Sequence, residues 1–367
     1  MDHALMLSPK PGVLDVHAYV PGRSEAAGAK RVYKLSSNES PFGPSPKAIA
    51  AYEGAEPALG IYPEGSARIL RDALARHYGL EADRIVCGNG SDEILHLLAN
   101  SYVRPKDEVL FSAHAFSLYK IATFANSATP VEIPEPSLKL EADAVLARVT
   151  GRTRLVFIAN PNNPTGSYMT AAEMRRLHEG LPASVLLVID AAYSEYVKRN
   201  DYEPGTELVK NADNVVMTRT FSKVFGLAGI RIGWAYCPGH IAEVLNRVRA
   251  PFNVNIAAQR AAVAALEDRA HVARALAHNE IWRARLTQEI RALGLRVDDS
   301  VANFVLVHFP DTPGKSAADA DRFLMEKGII LRGCASYALP DCMRLTVGNE
   351  EANNAAIAAL REFTAKT

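Results

Sequence analysis

The chain has 367 residues, more than one hydrophobic core usually fills, so two domains are expected. Its 41 Lys and Arg balance 41 Asp and Glu, which argues against a general nucleic-acid or membrane surface. Cys87, Cys237, Cys334 and Cys342 are scattered without CxxC spacing, so reduced thiols in a cytoplasmic protein are expected rather than a disulfide framework or a metal site.

The first residues, MDHALMLSPKPG, lack a basic start followed by an apolar core, and no signal peptide is expected. No apolar run approaches the ~20 residues that a membrane helix needs. Residues 1–47 are rich in Pro and Gly and read as an arm laid across something else, with 1–30 as the arm proper. Apolar, β-branched runs follow at 84–87, 108–111, 130–133, 154–159, 184–189, 214–218 and 232–236. Helical stretches separate several of them. The clearest is TAAEMRRLHEGLP, where Thr170 and Glu173 form a capping-box pattern and Gly180 with Pro182 supplies the stop. Apolar strands alternating with helices predict an α/β large domain over 31–250, built on a mainly parallel seven-stranded sheet flanked by helices. After Pro251 an Ala- and Arg-rich helical region at about 256–293 leads to strand-like NFVLVHF, GIILRG and MRLTVG. With a helix before the second of these and another after the third, 251–367 reads as a smaller α+β domain.

Ligands of open α/β sheets collect beyond the carboxyl ends of the strands, and polar residues cluster at four such ends here. GNGSDE follows the first strand and NPNNPTG the fourth, Asp190 ends the fifth, and TRTFSK follows the sixth. Each has a plain structural reading. GNGSDE alone reads as a turn and N-cap, NPNNPTG as a Pro-rich loop, Asp190 as a cap, Arg231 as a surface ion pair and Lys223 as a solvated lysine. Together they would require coincidence at every strand end. In the functional reading, the helix start at Gly90, Ser91 and Asp92 offers N–H groups and a favourable dipole to a phosphate. Thr220, Ser222 and Arg231 add hydroxyls and a cation. A phosphate beside a lysine, with a buried carboxylate opposite, points to pyridoxal 5'-phosphate. Lys223 would form the Schiff base and Asp190 would pair with the pyridinium nitrogen.

With these motifs in place, the chain resembles the fold type I pyridoxal-phosphate aminotransferases, and within them the histidinol-phosphate aminotransferase family. SSNESPFGPSP, YPEGS, GNGSDE, NPNNPTG, DAAYSEY, RTFSKVFGLAGIRIGW and RLTVG carry the resemblance, in that order, from about Tyr19 to Glu350. It implies that Lys223 is the catalytic proton carrier and that Asn163 and Tyr193 hydrogen-bond the cofactor's phenolic oxygen. It further implies that Phe116 stacks on the ring and that Tyr62 reaches the cofactor phosphate of a neighbouring subunit, hence a homodimer with shared sites. Arg332 and Arg344 would hold the substrate's anionic end, with Tyr19 and Asn38 also at the substrate. Where members often carry an aspartate and a tyrosine, this chain has Glu64 and Phe116. Stacking tolerates Phe116, but a tyrosine hydroxyl bond is lost.

The implied reaction interconverts histidinol phosphate and 2-oxoglutarate with imidazole-acetol phosphate and glutamate, in histidine biosynthesis. One anion pocket must then take both a carboxylate and a phosphate, which a planar arginine fork can do. A broad aromatic amino acid aminotransferase and a threonine-phosphate decarboxylase are the alternatives within the same chemistry. A regulator that uses this fold as a sensor would need a fused basic helix-turn-helix segment, and the chain has neither that length nor that charge. A nucleotide-binding module is weaker still, since GNGSDE matches neither GxGxxG nor GxxxxGK[ST].

Overall fold

The structure is a computed structural model and describes residues 8–365 except 17, 19 and 27. Tyr19, expected at the substrate, therefore lies outside the described residues. In chain order the strands are β1 (Tyr33–Lys34), β2 (Ile85–Gly88), β3 (Glu108–Ser112), β4 (Thr129–Ile133), β5 (Thr153–Ala159), β6 (Leu186–Asp190) and β7 (Val215–Thr220). They continue as β8 (Gly233–Tyr236), β9 (Arg296–Val297), β10 (Phe304–His308), β11 (Ile329–Ile330), β12 (Arg332–Gly333) and β13 (Cys342–Thr346).

The seven expected runs form one sheet in the order β2-β8-β7-β6-β5-β3-β4. Its β-branched and apolar strands are buried on both faces. Ile85, Val156, Ile158, Leu187 and Ile189 pack into one layer, while Val86, Leu155, Phe157, Leu186 and Val188 pack into the other. That alternation is the period of two expected when helices cover both faces of a sheet. Strands β3 to β7 pair in parallel, and β8 runs against both β7 and β2. The reversal has a direct consequence for the site. The start of β8 meets the carboxyl ends of β2 and β7, because Gly233 is in register with both Gly88 and Thr220.

Helix Ala171–Gly180 starts as its sequence predicts: Glu173 N donates to Thr170 Oγ1 at 3.2 Å and Thr170 N to Glu173 Oε2 at 2.9 Å. The stop differs. Gly180 is the last helical residue and takes no positive φ; a Cβ there would lie 2.6 Å from Leu146 Cδ1, so its smallness serves a close approach.

The Ala- and Arg-rich region is two helices, Ile256–Glu267 and Arg269–Ala292, parted at Asp268, whose side chain accepts from His271 N. The first buries Ala258, Ala261, Ala262 and Ala265 in the large-sheet layer, against helix Pro46–Glu53. The second turns to the C-terminal layer, where Leu286 and Ile290 pack with Val305, Val307 and Leu345. That layer carries an antiparallel sheet in the order β12-β13-β10-β9. Two-residue β1 pairs in parallel with β11, so the chain visits this layer before building the large sheet. Among the described residues no helix is long and apolar enough to cross a membrane.

Candidate active site

At the carboxyl edge of the large sheet, GNGSDE makes the turn into helix Ser91–Tyr102. Gly90 sits at φ 82°, ψ 166°, a region essentially confined to glycine. A Cβ on Gly90 would lie 2.6 Å from Arg231 Nη2, and one on Gly233 would lie 2.3 Å from Ser91 N. Backbone and guanidinium can crowd the helix start only because both positions lack side chains. Around it, Thr220 Oγ1 donates to Ser222 Oγ at 2.9 Å, and Arg231 Nη1 reaches Ser222 Oγ at 3.4 Å. Arg231 is itself left-handed at φ 53° and pairs with Asp92 at 3.1 Å. The surface-pair reading of Arg231 thus holds part of the truth, since the pair sits at the helix start. The result is a cradle of N–H groups, hydroxyls and a cation suited to a phosphate.

Next to this cradle lies a cavity of about 250 Å³. Ser91, Asp92, Thr220, Ser222 and Arg231 line its anion-binding end, and Phe116, Asp190 and Lys223 line its middle. Asn38, Asn163, Tyr193, Arg332 and Arg344 complete the wall. Gly90 lies behind, as the cap. Tyr62 does not line this cavity; it is 79% exposed and stacks on Phe252 with centroids 4.6 Å apart.

Asp190 is buried at the end of β6, and that burial pushes its carboxyl up to about 6. Two hydroxyls resist the shift: Tyr119 donates to Oδ2 at 2.9 Å and Thr218 to Oδ1 at 3.2 Å. Lys223 is half-buried, with its exposed surface in the cavity wall. Burial, with the Arg344 guanidinium adding to it, lowers its amine to about 8. Among the described residues its ammonium has no carboxylate at ion-pair distance; Nζ contacts Ser37 O at 3.5 Å. Among the described residues, a carboxylate with no cation at ion-pair distance and an amine with no anion at that distance therefore share one cavity. That is the donor set a protonated pyridine with an aldehyde would satisfy, so the residues fit pyridoxal 5'-phosphate.

Arg344 on β13 is buried; its Nη2 donates to Ser36 O at 2.6 Å and its Nη1 donates to Asn163 Oδ1, while among the described residues Nε has no hydrogen-bond partner. Tyr193 Oη accepts from Asn38 Nδ2 at 2.8 Å. Arg332 donates to Val20 O at 2.9 Å, in the N-terminal arm. Sequence reasoning missed Tyr119 and Thr218, which hold Asp190, and Glu39, which lines the cavity and pairs with Lys34 at 2.6 Å. A readable signal existed for two of them. Tyr119 lies three residues beyond Phe116, in the first turn of helix Leu118–Ala125, and Thr218 precedes the TFSK run by two residues on the strand paired with β6.

Residues 30–360 match the family described as aminotransferase class I and II. A histidinol-phosphate aminotransferase from Rhodopseudomonas palustris (strain HaA2) is 56% identical over 359 residues, covering 98% of each chain. One from Nitrobacter winogradskyi is 53% identical, covering 98% of this chain and 99% of that protein. Among solved structures, histidinol-phosphate aminotransferase from Sinorhizobium meliloti in complex with pyridoxal-5'-phosphate superposes with a TM-score of 0.82 at 30% identity, covering 90% of each chain. A Thermus thermophilus aspartate aminotransferase variant shares the fold alone, with a TM-score of 0.78 at 23% identity over 90% of this chain and 91% of that one.

Proposed function

The chain belongs to the class I and II aminotransferases, and from that premise we propose that it moves an amino group between glutamate and imidazole-acetol phosphate, reversibly giving 2-oxoglutarate and histidinol phosphate, with pyridoxal 5'-phosphate as cofactor. The observation that carries this reading is the single cavity shared by Lys223, Asp190 and the cradle at Ser91. When bound, the cofactor supplies an aldehyde that accepts the amino group and a protonated ring that draws electrons from the bond being broken.

The chain's own residues do the rest. Lys223 Nζ takes the proton from the carbon that bears the amino group and returns it on the far side of the exchange. Its lowered pKa of about 8 leaves roughly a tenth of the amine unprotonated at pH 7, against about one part in three thousand at 10.5. Asp190 Oδ1 and Oδ2, kept ionised by Thr218 and Tyr119, hold the ring nitrogen's proton in place. Ser91 and Asp92 N–H groups, Thr220, Ser222 and Arg231 would anchor the phosphate, and Phe116 would face the ring. Asn163 and Tyr193 would hydrogen-bond the phenolic oxygen. Arg344, aimed by Asn163 and Ser36, takes the carboxylate of glutamate or the phosphate of histidinol phosphate, and Arg332 and Asn38 assist at the substrate.

Tyr62 belongs to the same proposal. Leu59, Ile61 and Tyr62 are 67%, 73% and 79% exposed, an apolar surface that a monomer gains nothing by showing. A second copy covering it would bring Tyr62 to that copy's phosphate, making a homodimer with shared sites. The four described cysteines are free and buried, in keeping with work in the cytoplasm. The division at about 30 and 250 into arm, cofactor-binding domain and small domain is likewise proposed. Helix Ile256–Glu267 favours moving the second boundary past Asp268. The deciding experiment follows amino transfer from glutamate to imidazole-acetol phosphate beside phenylpyruvate. A clear preference for the phosphorylated acceptor supports the reading. Equal kcat/KM would replace it with a broad aromatic aminotransferase.

A further inference from the structure

Outside the cavity, three metal-ligating side chains of different kinds converge on the small-domain sheet. His308 ends β10 and Cys342 begins β13, and the two are register partners, with Asp341 preceding Cys342. One ligand atom from each lies within 4.8 Å of the others. His308 Nδ1 is 3.2 Å from Cys342 Sγ and 3.8 Å from Asp341 Oδ2, and Sγ is 3.5 Å from Asp341 Oδ1. A tetrahedral zinc site with ligand bonds of about 2.0–2.3 Å has edges of roughly 3.3–3.8 Å. A modest rotation of the Asp341 carboxylate brings a single oxygen onto the face of such a tetrahedron.

The imidazole is also held as a metal ligand is usually held. Its Nε2 faces Asp298, which leaves Nδ1 as a lone pair aimed at the other two groups. The backbone fixes the same residues, since Phe309 N donates to Asp341 O at 2.9 Å, Cys334 N to Cys342 O at 3.0 Å and Cys342 N to Leu339 O at 3.1 Å. The plain reading is a hydrogen-bonded cluster, which with a neutral imidazole runs short of one proton. Cys342 has one thiol hydrogen, and both His308 Nδ1 and the Asp341 carboxylate offer it lone pairs. With a neutral imidazole one of those contacts is left without a hydrogen, and only a second proton on His308 would fill it. A divalent cation satisfies all three.

We propose that His308 Nδ1, Cys342 Sγ and an Asp341 carboxylate oxygen form a zinc-type site, with water as the fourth ligand on the side where Asp341 is exposed. Binding makes Zn–N, Zn–S and Zn–O bonds and releases the Cys342 thiol proton to solvent. The thiolate and carboxylate then balance the ion's two charges, and Arg296 balances Asp298, which it contacts at 2.9 Å. Borderline-soft Zn²⁺ suits this mixed nitrogen, sulfur and oxygen set better than Mg²⁺ or Ca²⁺. The site has a structural role with a reach into the active site. Cys342 and Arg344 are two apart on β13 and so share a face of the sheet, and an ion at Cys342 pins the strand that carries the anion-binding arginine.

The test dialyses metal-free holoenzyme against micromolar zinc chloride and counts metal per subunit. One Zn²⁺ per subunit is expected, with a raised Tm. His308→Gln should abolish that uptake, and Asp298→Asn should weaken it about 10- to 100-fold. With Co²⁺ in place of Zn²⁺, a thiolate-to-metal absorption band should appear and be missing from Cys342→Ser. Should the buried substitutions fail to fold, Asp341→Asn, at an exposed position, decides by the same count. Wild-type uptake no greater than that of Asp341→Asn and Asp298→Asn overturns the proposal.

Discussion

Replacing Tyr119 by Phe removes one hydroxyl from Asp190 and little else. The ring is fully buried, stacked on Phe157 at 4.7 Å, and that packing is kept. A hydrogen bond to a charged group contributes roughly 1.5–3 kcal/mol, equivalent to about 1–2 pK units. Asp190, already raised by burial to about 6, would move to roughly 7–8. At pH 7 its ionised fraction would fall from about nine-tenths to between roughly a half and a tenth. The carboxylate form is the one that holds the ring nitrogen's proton, so activity should be lost on the acid side and recovered as pH rises. A bound pyridinium lowers both pKa values, but the difference between the proteins persists. The assay is kcat/KM against pH for wild type and Tyr119→Phe. The acid limb should shift upward by about 1–2 units, with a smaller shift in Thr218→Val, whose bond is longer at 3.2 Å. A merely structural tyrosine would lower activity equally at every pH. A profile superimposable on wild type, or a loss independent of pH, would refute the reasoning.

Arg344→Ala should cost about ten- to a hundredfold in kcat/KM in both half-reactions, because one charged hydrogen bond is lost with either anion. We assign Arg332 mainly to the substrate phosphate, so Arg332→Ala should cost more with histidinol phosphate than with glutamate, and equal losses would remove that assignment. Mixing inactive Lys223→Ala subunits with Tyr62→Ala subunits should restore some activity, since a mixed dimer holds one site free of both defects. No recovery after proven subunit exchange would count against sharing. Burial lowers Lys223 from 10.5 to about 8, so between those values the unfolded chain holds a proton that the folded chain lacks. Unfolding free energy of the cofactor-free protein should therefore rise with pH there, by up to about 1.4 kcal/mol per unit. Urea titrations of Lys223→Met should lack that rise, and parallel curves would contradict the buried-amine account.

Where a segment's own pattern decides its fate, the sequence was enough. The seven sheet strands are short apolar runs, and Thr170 with Glu173 announces a helix start through two reciprocal bonds. The edge of the site was legible for the same reason, since GNGSDE, NPNNPTG, Asp190 and TRTFSK each follow a strand that could be read. What depends on distant partners was not legible. Nothing local in Tyr33–Lys34 indicates that its partner is Ile329–Ile330, almost three hundred residues on. The break at Asp268 interrupts an Ala-rich pattern that favours helix throughout, and the second helix passes from the large-sheet layer, where Ala275 packs, to the C-terminal layer, where Leu286 and Ile290 pack. Arg219 stands beside the lysine signature, and nothing local shows where its side chain goes. It points into the core, pairs with Glu195 at 2.8 Å and lies 4.5 Å over the Tyr78 ring. Burial of that kind is decided by the other face of the strand.

The most direct test of the central claim is borohydride reduction of the yellow holoenzyme, followed by mapping of the modified peptide. The account predicts a reduced pyridoxyl phosphate on Lys223 and on no other lysine, loss of the visible band, and no turnover in Lys223→Ala. Label on a different lysine, or near-normal transamination by Lys223→Ala, would contradict it.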